Sequence, residues 1–143
     1  MQEEEQAKRV VGLTKNVGFQ FSITKTCAVT VEEAWDFLLS ESGVSIWLGS
    51  IDFQAFELNN PFTTAEGIEA KITLFKADSH LRLAWKPAHW NNNSFIEIRV
   101  LTNKGRAKLG LLHTHMTSVE QREEVKAYWT EIFEEMRCEL AKY

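Results

Sequence analysis

Two histidines separated by one residue form the pair whose type and spacing could do chemistry. His113 and His115 end a stretch in which apolar and polar residues alternate. Side chains at i and i+2 of a β-strand point to the same face, so both imidazoles are expected beside Leu109 and Leu111 on the inner face. Two neutral imidazoles in that position could bind a metal, polarise a ligand carbonyl or transfer a proton.

The chemistry of this pair depends on what stands around it. A metal site needs at least a third ligand, and His80 and His89 lie in predicted loops with no spacing that brings them to the pair. We therefore predict neither a metal nor a cofactor. Two interpretations stay open. The histidines end a strand and bond to backbone or water, or they form the polar end of a ligand cavity.

Aromatic residues are the second group of candidates. The chain has five Trp and nine Phe, which is much large apolar surface for its length. Trp47, Trp85 and Trp90 lie near predicted element ends or loops, where an indole offers both a flat apolar face and an N–H donor. Trp35 and Trp129 lie on apolar helix faces and are interpreted first as core. The residues predicted to contact a ligand are Trp47, Phe53, Trp85, Trp90, His113, His115, Trp129 and Phe133.

Catalytic signatures are missing from the sequence. It contains no GxSxG elbow, no GxxxxGK loop, no GxGxxG and no HExxH. We predict no catalytic residue, although one His or Glu buried in an apolar pocket could still act as a general acid or base. Whether the protein is an enzyme therefore stays open, with the negative answer favoured.

Composition indicates one ordinary globular domain. The 143 residues carry a formal net charge of −4, which argues against binding to a nucleic-acid backbone. Neither a signal peptide nor a run of about 20 apolar residues is present, so no membrane span is expected. Cys27 and Cys138 lie far apart, as is typical of reduced thiols in a cytoplasmic protein.

The elements that must position these residues follow from periodicity. Residues 1–15 are charged and are predicted to form a short helix or a loose arm. Thr30 and Glu33 form a capping box that starts a helix, which Ser42-Gly43 should interrupt before a second turn at Val44–Leu48. Strands are predicted at residues 18–24, 51–58, 68–74, 81–86, 95–101 and 107–115.

The end of the chain returns to helical spacing. From about Val119 onward there is no Gly or Pro, and apolar residues recur at steps of three and four. This stripe consists of Val125, Trp129, Ile132, Phe133, Met136 and Leu140. A curved antiparallel sheet of about six strands, wrapped around one long C-terminal helix, would bury it.

Several segments resemble a known family in their order and spacing. They are Val31-Glu32-Glu33-Ala34-Trp35-Asp36-Phe37-Leu38, Ile46-Trp47-Leu48-Gly49, Leu81-Arg82-Leu83-Ala84-Trp85 and Trp129-Thr130-Glu131. Together they resemble the START-like, or SRPBCC, superfamily. Within it they are similar to bacterial proteins of the AHSA type, related to the activator of the 90-kDa heat-shock-protein ATPase.

The resemblance implies an α+β helix-grip fold with two short helices after the first strand. Residues 1–16 would be an N-terminal extension and residues 17–143 the domain. Many members bind hydrophobic small molecules between sheet and helix, so a hydrophobic small molecule is the expected partner. A chaperone-interaction module linked to stress response and a cyclase- or hydrolase-like enzyme are the alternatives. The protein would be a monomer or a homodimer.

Overall fold

The computed structural model describes Leu13–Thr14 and residues 18–143. Its strands are β1 (Leu13–Thr14), β2 (Gly18–Thr26), β3 (Phe62–Thr63), β4 (Glu69–Lys76), β5 (His80–Lys86), β6 (Ser94–Asn103) and β7 (Arg106–Met116). Its helices are α1 (Val31–Leu38), α2 (Glu41–Trp47) and α3 (Val119–Leu140), and a 3-10 turn covers Phe53–Ala55. Of the predicted N-terminal arm, Leu13–Thr14 form β1, and the rest lies outside the described residues.

The strands form one antiparallel sheet in the order β1-β2-β7-β6-β5-β4-β3. Strands β3 to β7 follow one another as a meander, and β2 then pairs with β7. Helix α3 packs against β2, β7 and α2. The predicted α+β architecture, a sheet around one long helix with two short helices after the first long strand, is confirmed.

Helix α3 forms where its sequence pattern predicts. Ser118 is the N-cap, and its side chain accepts a hydrogen bond from the backbone N–H of Gln121. All six residues of the predicted apolar stripe are buried: Val125, Trp129, Ile132, Phe133, Met136 and Leu140. Because no glycine or proline interrupts this stripe, a single 22-residue helix can cover the sheet.

The two short helices divide at a different place from the one predicted. Thr30 and Glu33 form the expected capping box at the start of α1. The predicted break at Ser42-Gly43 is wrong, because α1 ends before Ser40, whose side chain caps α2. Gly43 lies inside α2, where a Cβ atom would come within 1.9 Å of the Phe37 carbonyl oxygen. This glycine allows the close approach of α2 to α1 and does not end a helix.

The strand predicted over residues 51–58 is also wrong. Asp52 caps the 3-10 turn by accepting a hydrogen bond from the backbone N–H of Gln54. The turn brings Phe53 and Phe56 together, with stacked rings whose centroids are 5.9 Å apart. From this segment only Leu58 contacts the sheet through the backbone, in a single bridge to Ile72. The capping hydrogen bond of Asp52 therefore stabilises a 3-10 turn in a segment whose residue types favour a β-strand.

A bulge in β4 changes the face of one predicted core residue. Ile68, Ala70 and Ile72 are buried as their alternation predicts. The register then shifts between Ile72 and Leu74, and Leu74 is 44% exposed. In the sequence, Ile68, Ala70, Ile72 and Leu74 alternate with polar residues, which predicts that Leu74 shares their face. This prediction is wrong, because one extra residue in β4 reverses the alternation.

Candidate functional site

Aromatic rings fill the space between the sheet and α3. Trp85 of β5 lies at their centre, with ring centroids 4.9 Å from His113, 5.5 Å from Trp90, 5.6 Å from Tyr128 and 6.1 Å from Trp129. We call these five residues the aromatic cluster. Four of them are buried and Tyr128 is half-buried. The region where the sequence predicted a ligand cavity is therefore occupied in large part by the protein's own side chains.

His113 is the polar centre of the aromatic cluster. The Trp129 Nε1–H group donates a hydrogen bond to His113 Nδ1 at 3.0 Å. An indole N–H can only donate, so Nδ1 is the acceptor and the imidazole proton is on Nε2. Nε2 then donates to Ser94 Oγ at 2.8 Å, and the Ser94 hydroxyl donates to the Trp85 carbonyl at 2.5 Å. Every polar atom of this buried imidazole is thus satisfied in its neutral form.

Burial lowers the pKa of His113 from 6.5 to about 3. The hydrogen bonds have the same effect, since a proton on Nδ1 would face the indole proton of Trp129. His113 is therefore neutral at physiological pH and has the role of a core residue.

His115 does not share the face of His113, and that prediction is wrong. The backbone of His115 has a φ of +67°, and the pairing of β2 with β7 shifts register beside it. Met116 takes the buried position instead. The His115 ring packs against Phe95 at 5.0 Å on the opposite face of the sheet, and its Nδ1 lies 2.8 Å from Thr114 Oγ1. The two imidazoles therefore cannot act on one ligand or hold one metal.

A half-open cleft of about 240 Å³ borders the aromatic cluster. It lies between α3, the loop after β5 and the turn before β4. Its lining residues are Glu66, Ile68, Trp85, Pro87, Ala88, His89, Glu124, Val125 and Tyr128. Apolar walls with a few polar groups are typical of small-molecule sites, so this cleft is the candidate functional site.

One residue that lines the cleft, Trp85, has an unsatisfied buried donor. Trp85 is 3% exposed, and among the described residues its Nε1 is the buried side-chain nitrogen or oxygen without a hydrogen-bond partner. Leaving such a donor unpaired costs about 1–3 kcal/mol relative to a paired one. An acceptor atom on a bound molecule would recover part of that cost.

Two other polar groups of the cleft have fixed protonation states. Burial raises the pKa of Tyr128 to about 12, with a further contribution from the negative charge of Glu66. The backbone N–H of Ser50 donates to Glu66 and lowers the pKa of its carboxyl. At neutral pH the phenol is protonated and Glu66 is ionised, so both groups can take part in hydrogen bonding.

One wall of the cleft is held by contacts between α3 and the loop after β5 that the sequence did not predict. Glu124 accepts a hydrogen bond from the Trp90 indole N–H at 3.1 Å, and its other oxygen lies 2.6 Å from His89 Nε2. The position of Glu124 outside the apolar stripe of α3 predicts an exposed side chain, and Glu124 is exposed. Its pairing with a loop 34 residues earlier has no local signal in the sequence.

Only one of the predicted ligand contacts lines the cleft, namely Trp85. Trp47 is fully buried and donates its N–H to the Leu38 carbonyl at 3.0 Å. Phe53 is half-buried beside Phe56, and Trp90 lies behind Glu124. Trp129 and Phe133 are core residues in contact with each other. The structure thus brings Trp85, Trp90, His113, Trp129 and Phe133 together and leaves Trp47, Phe53 and His115 elsewhere.

Within residues 18–143 and Leu13–Thr14, no three His, Cys, Asp or Glu side chains are grouped so as to hold a metal ion. No helix in the same part of the chain has the length and apolarity needed to cross a bilayer. Cys27 is buried, Cys138 is exposed, and both are free thiols.

Comparisons with known proteins support the fold. No family model and no curated protein sequence matches the chain. CalU16 from Micromonospora echinospora superposes with a TM-score of 0.71 at 18% identity, covering 82% of this chain and 71% of CalU16. An HSP90 activator from Plasmodium falciparum gives a TM-score of 0.64 at 20% identity, covering 78% of this chain and 88% of that one.

A third similar structure is an Aha1 dimer from Colwellia psychrerythraea. Its TM-score is 0.68 at 11% identity, and the match covers 85% of this chain and 96% of that one. These neighbours confirm the predicted helix-grip fold and its likeness to START-like and AHSA-type structures. At such identities the likeness shows the fold alone, which is compatible with ligand binding or protein interaction in general.

Proposed function

We propose that this domain binds a compact apolar small molecule in the cleft beside Trp85. The observation that carries the proposal is the coincidence of an apolar, half-open cleft with the unpartnered indole N–H of Trp85. Apolar walls provide binding energy without direction, and one donor gives the ligand an orientation. The ligand would therefore present an acceptor oxygen or nitrogen at one end.

The size of the cleft sets the size of the ligand. Sites for drug-sized molecules occupy roughly 300–1,000 Å³. The cleft has a volume of about 240 Å³, and Trp85 and Tyr128 of the aromatic cluster form its wall toward the core. A single ring system or a small cage fits this space, whereas a long lipid chain would require the aromatic cluster to open.

We propose binding without turnover. The Tyr128 phenol stays protonated and the Glu66 carboxyl stays ionised at neutral pH, so both suit hydrogen bonding better than proton transfer. The Glu124 carboxylate is already engaged by Trp90 and His89. A cyclase- or hydrolase-like reaction would need an acid or base facing the ligand with a pKa near neutral pH.

Replacing Trp85 by Phe tests the proposal. The change keeps an aromatic ring in the cluster and removes the N–H group. We expect the affinity for 1-adamantanemethanol, a compact cage with one hydroxyl, to fall roughly five- to tenfold, the net value of one hydrogen bond. Isothermal titration calorimetry measures this affinity without depending on tryptophan emission.

Trp35→Phe provides the matched control, because Trp35 is a buried tryptophan of α1 that does not line the cleft. Its affinity for the probe should equal that of the parent. Equal binding by Trp85→Phe and the parent would contradict the role of the indole N–H. Absence of saturable binding in the parent would contradict the proposed function as a whole.

Protein interaction is the second candidate function. Two of the similar structures are described as an HSP90 activator and as Aha1. In this chain Leu74 and Phe75 of β4 are each 44% exposed, Leu74 on the outer face of the sheet and Phe75 on the inner face, where it packs on Trp35. We infer that this exposed apolar end of β4 is the candidate interaction surface. A role in stress response would follow from this function and not from ligand binding.

Purified HSP90 tests the second candidate. If the β4 surface binds it, the double variant Leu74→Ser/Phe75→Ser should weaken binding roughly tenfold or more in a biosensor titration, as loss of central apolar anchors does. Leu112→Ser, which changes an exposed leucine on β7, is the control. No binding by the parent, or equal binding by all three proteins, would remove this candidate.

The setting of either function is part of the proposal. We place the protein in the cytoplasm, since both cysteines are free thiols, as is usual in a reducing compartment. A monomer and a homodimer are both compatible with a cleft formed within one chain.

A further inference from the structure

The charges around the cleft carry information on its ligand. Glu66 lies on one wall and Glu124 on another, and none of the described residues that line the cleft is Lys or Arg. His89 is the one lining residue that can carry a positive charge, and it is bound to Glu124. Whichever state His89 adopts, the formal charge of the lining is therefore negative.

This negative charge acts on the interior of the cleft. Burial is the main cause of the raised pKa of Tyr128 on α3, and the negative charge of Glu66 on the other side of the opening adds to it. The Glu66 carboxylate is also held in place, because its Oε1 accepts a hydrogen bond from the Ser50 backbone N–H at 2.9 Å. A fixed carboxylate beside a partly dehydrated cleft favours a cation there and disfavours an anion.

Aromatic walls add to this preference. The rings of Trp85 and Tyr128 line the same cleft, with centroids 5.6 Å apart. The faces of such rings attract an ammonium group, most strongly where water is partly excluded. Carboxylates, aromatic faces and apolar walls together are features of sites that recognise amines.

On the premise of the proposed function, we infer that the ligand is a cationic amphiphile, a compact apolar body that carries a protonated amine. The amine lies toward Glu66 at the mouth and the apolar body lies against Ile68 and Val125. An acceptor atom on the apolar body would pair with the Trp85 N–H group. Carboxylates and phosphates of the same shape are disfavoured by the negative charge of Glu66 and Glu124.

Three probes of one shape and different charge test this inference. They are 1-adamantanemethylamine, 1-adamantanemethanol and 1-adamantanecarboxylate, which are cationic, neutral and anionic at pH 7. We expect the amine to bind roughly tenfold or more tightly than the carboxylate in low-salt buffer. The ratio should shrink in 0.5 M NaCl, because salt screens exposed charges. The alcohol tests whether the cleft binds the uncharged cage.

The variant Glu66→Gln separates the charge from the shape of the site. Glutamine keeps an oxygen for the Ser50 N–H and removes the negative charge. We expect the preference for the amine over the carboxylate to fall at least threefold. Glu135→Gln, an exposed change of equal charge farther along α3, should leave the preference unchanged.

The outcomes distinguish this inference from the proposed function. If the alcohol binds and the amine binds no more tightly than the carboxylate, the site is a small-molecule cleft and the inferred ligand class is wrong. An equal loss of preference in Glu66→Gln and Glu135→Gln would also contradict the inference, because net charge alone would then explain it. If none of the three probes binds, the proposed function fails together with the inference.

Discussion

Replacing Trp129 by Ala is expected to lower the free energy of unfolding by about 3–5 kcal/mol. Trp129 is completely buried on α3 and packs against Trp85, Tyr128, Phe133 and His113. Truncation leaves a cavity that these rings cannot fill without leaving their own contacts. Urea unfolding followed by far-UV circular dichroism measures the loss.

A second change at the same position separates packing from hydrogen bonding. Trp129→Phe keeps much of the ring volume and removes the N–H group that His113 Nδ1 accepts. A buried acceptor left without a donor costs about 1–3 kcal/mol, so this variant should lie between the parent and Trp129→Ala. Val119→Ala, a change at a residue that is 46% exposed on the same helix, is the control. A loss below about 1 kcal/mol for Trp129→Ala would contradict the packing described above.

Regular patterns in the sequence predict regular parts of this fold. The apolar stripe of α3 and the alternation in β5 and β6 each follow from a single period, and each is confirmed residue by residue in the burial. Burial of a whole face decides the register of such an element, so local sequence is enough. The capping box of α1 is predictable for the same reason, since both of its partners lie within four residues.

Irregular parts are where sequence reasoning fails. Leu74 and His115 were assigned to the inner face by alternation, and each lies beyond a register shift in its strand. A bulge depends on how two strands meet, so the sequence of one strand does not reveal it. The prediction of a strand over residues 51–58 is wrong for a different reason. The carboxylate of Asp52 caps a 3-10 turn at Phe53–Ala55, and this local hydrogen bond outweighs a weak preference for strand.

The residues of the candidate site were also only partly predictable, because local sequence does not reveal contacts between distant parts of the chain. Trp85 could be predicted to line the cleft, because an indole near the end of a strand offers an apolar face and an N–H donor, but the same reasoning selected Trp47 and Trp90, which do not line it. Glu66, Glu124 and Tyr128 could not be predicted, since Glu66 precedes β4 and the other two lie on α3, and only the folded sheet and helix bring these two parts of the chain together. The two residues best suited by type for chemistry, His113 and His115, lie on opposite faces of β7.

The neutral state of His113 predicts how stability depends on pH. In the folded protein its pKa is about 3, whereas in the unfolded chain it is about 6.5. Between these values the unfolded state binds one more proton than the folded state, so the stability from this residue is present above pH 6.5 and is lost as pH falls. The loss continues to about pH 3, below which both states are protonated.

The expected size of this effect is large. Each pH unit between the two pKa values corresponds to about 1.4 kcal/mol of unfolding free energy. Protonation of His113 alone should therefore lower the free energy of unfolding by about 2 kcal/mol between pH 7.5 and pH 5, and by about 4–5 kcal/mol by pH 3. The upper part of this range is the cleaner test, because ordinary carboxylates stay ionised down to about pH 5. Urea unfolding of the parent at a series of pH values measures the slope.

A comparison of variants assigns the slope to His113. The variant His113→Gln lacks the titrating group. Between pH 7.5 and 5 its free energy of unfolding should fall by about 2 kcal/mol less than that of the parent, whatever its stability at pH 7.5. His80→Gln, which changes a half-buried histidine at the start of β5, should retain the slope of the parent. The imidazole resonances of His113 in the folded parent give an independent measurement and should not titrate above about pH 4. A midpoint near pH 6.5 would mean that water reaches the imidazole, and the aromatic cluster would then be open enough to admit a ligand between the sheet and α3.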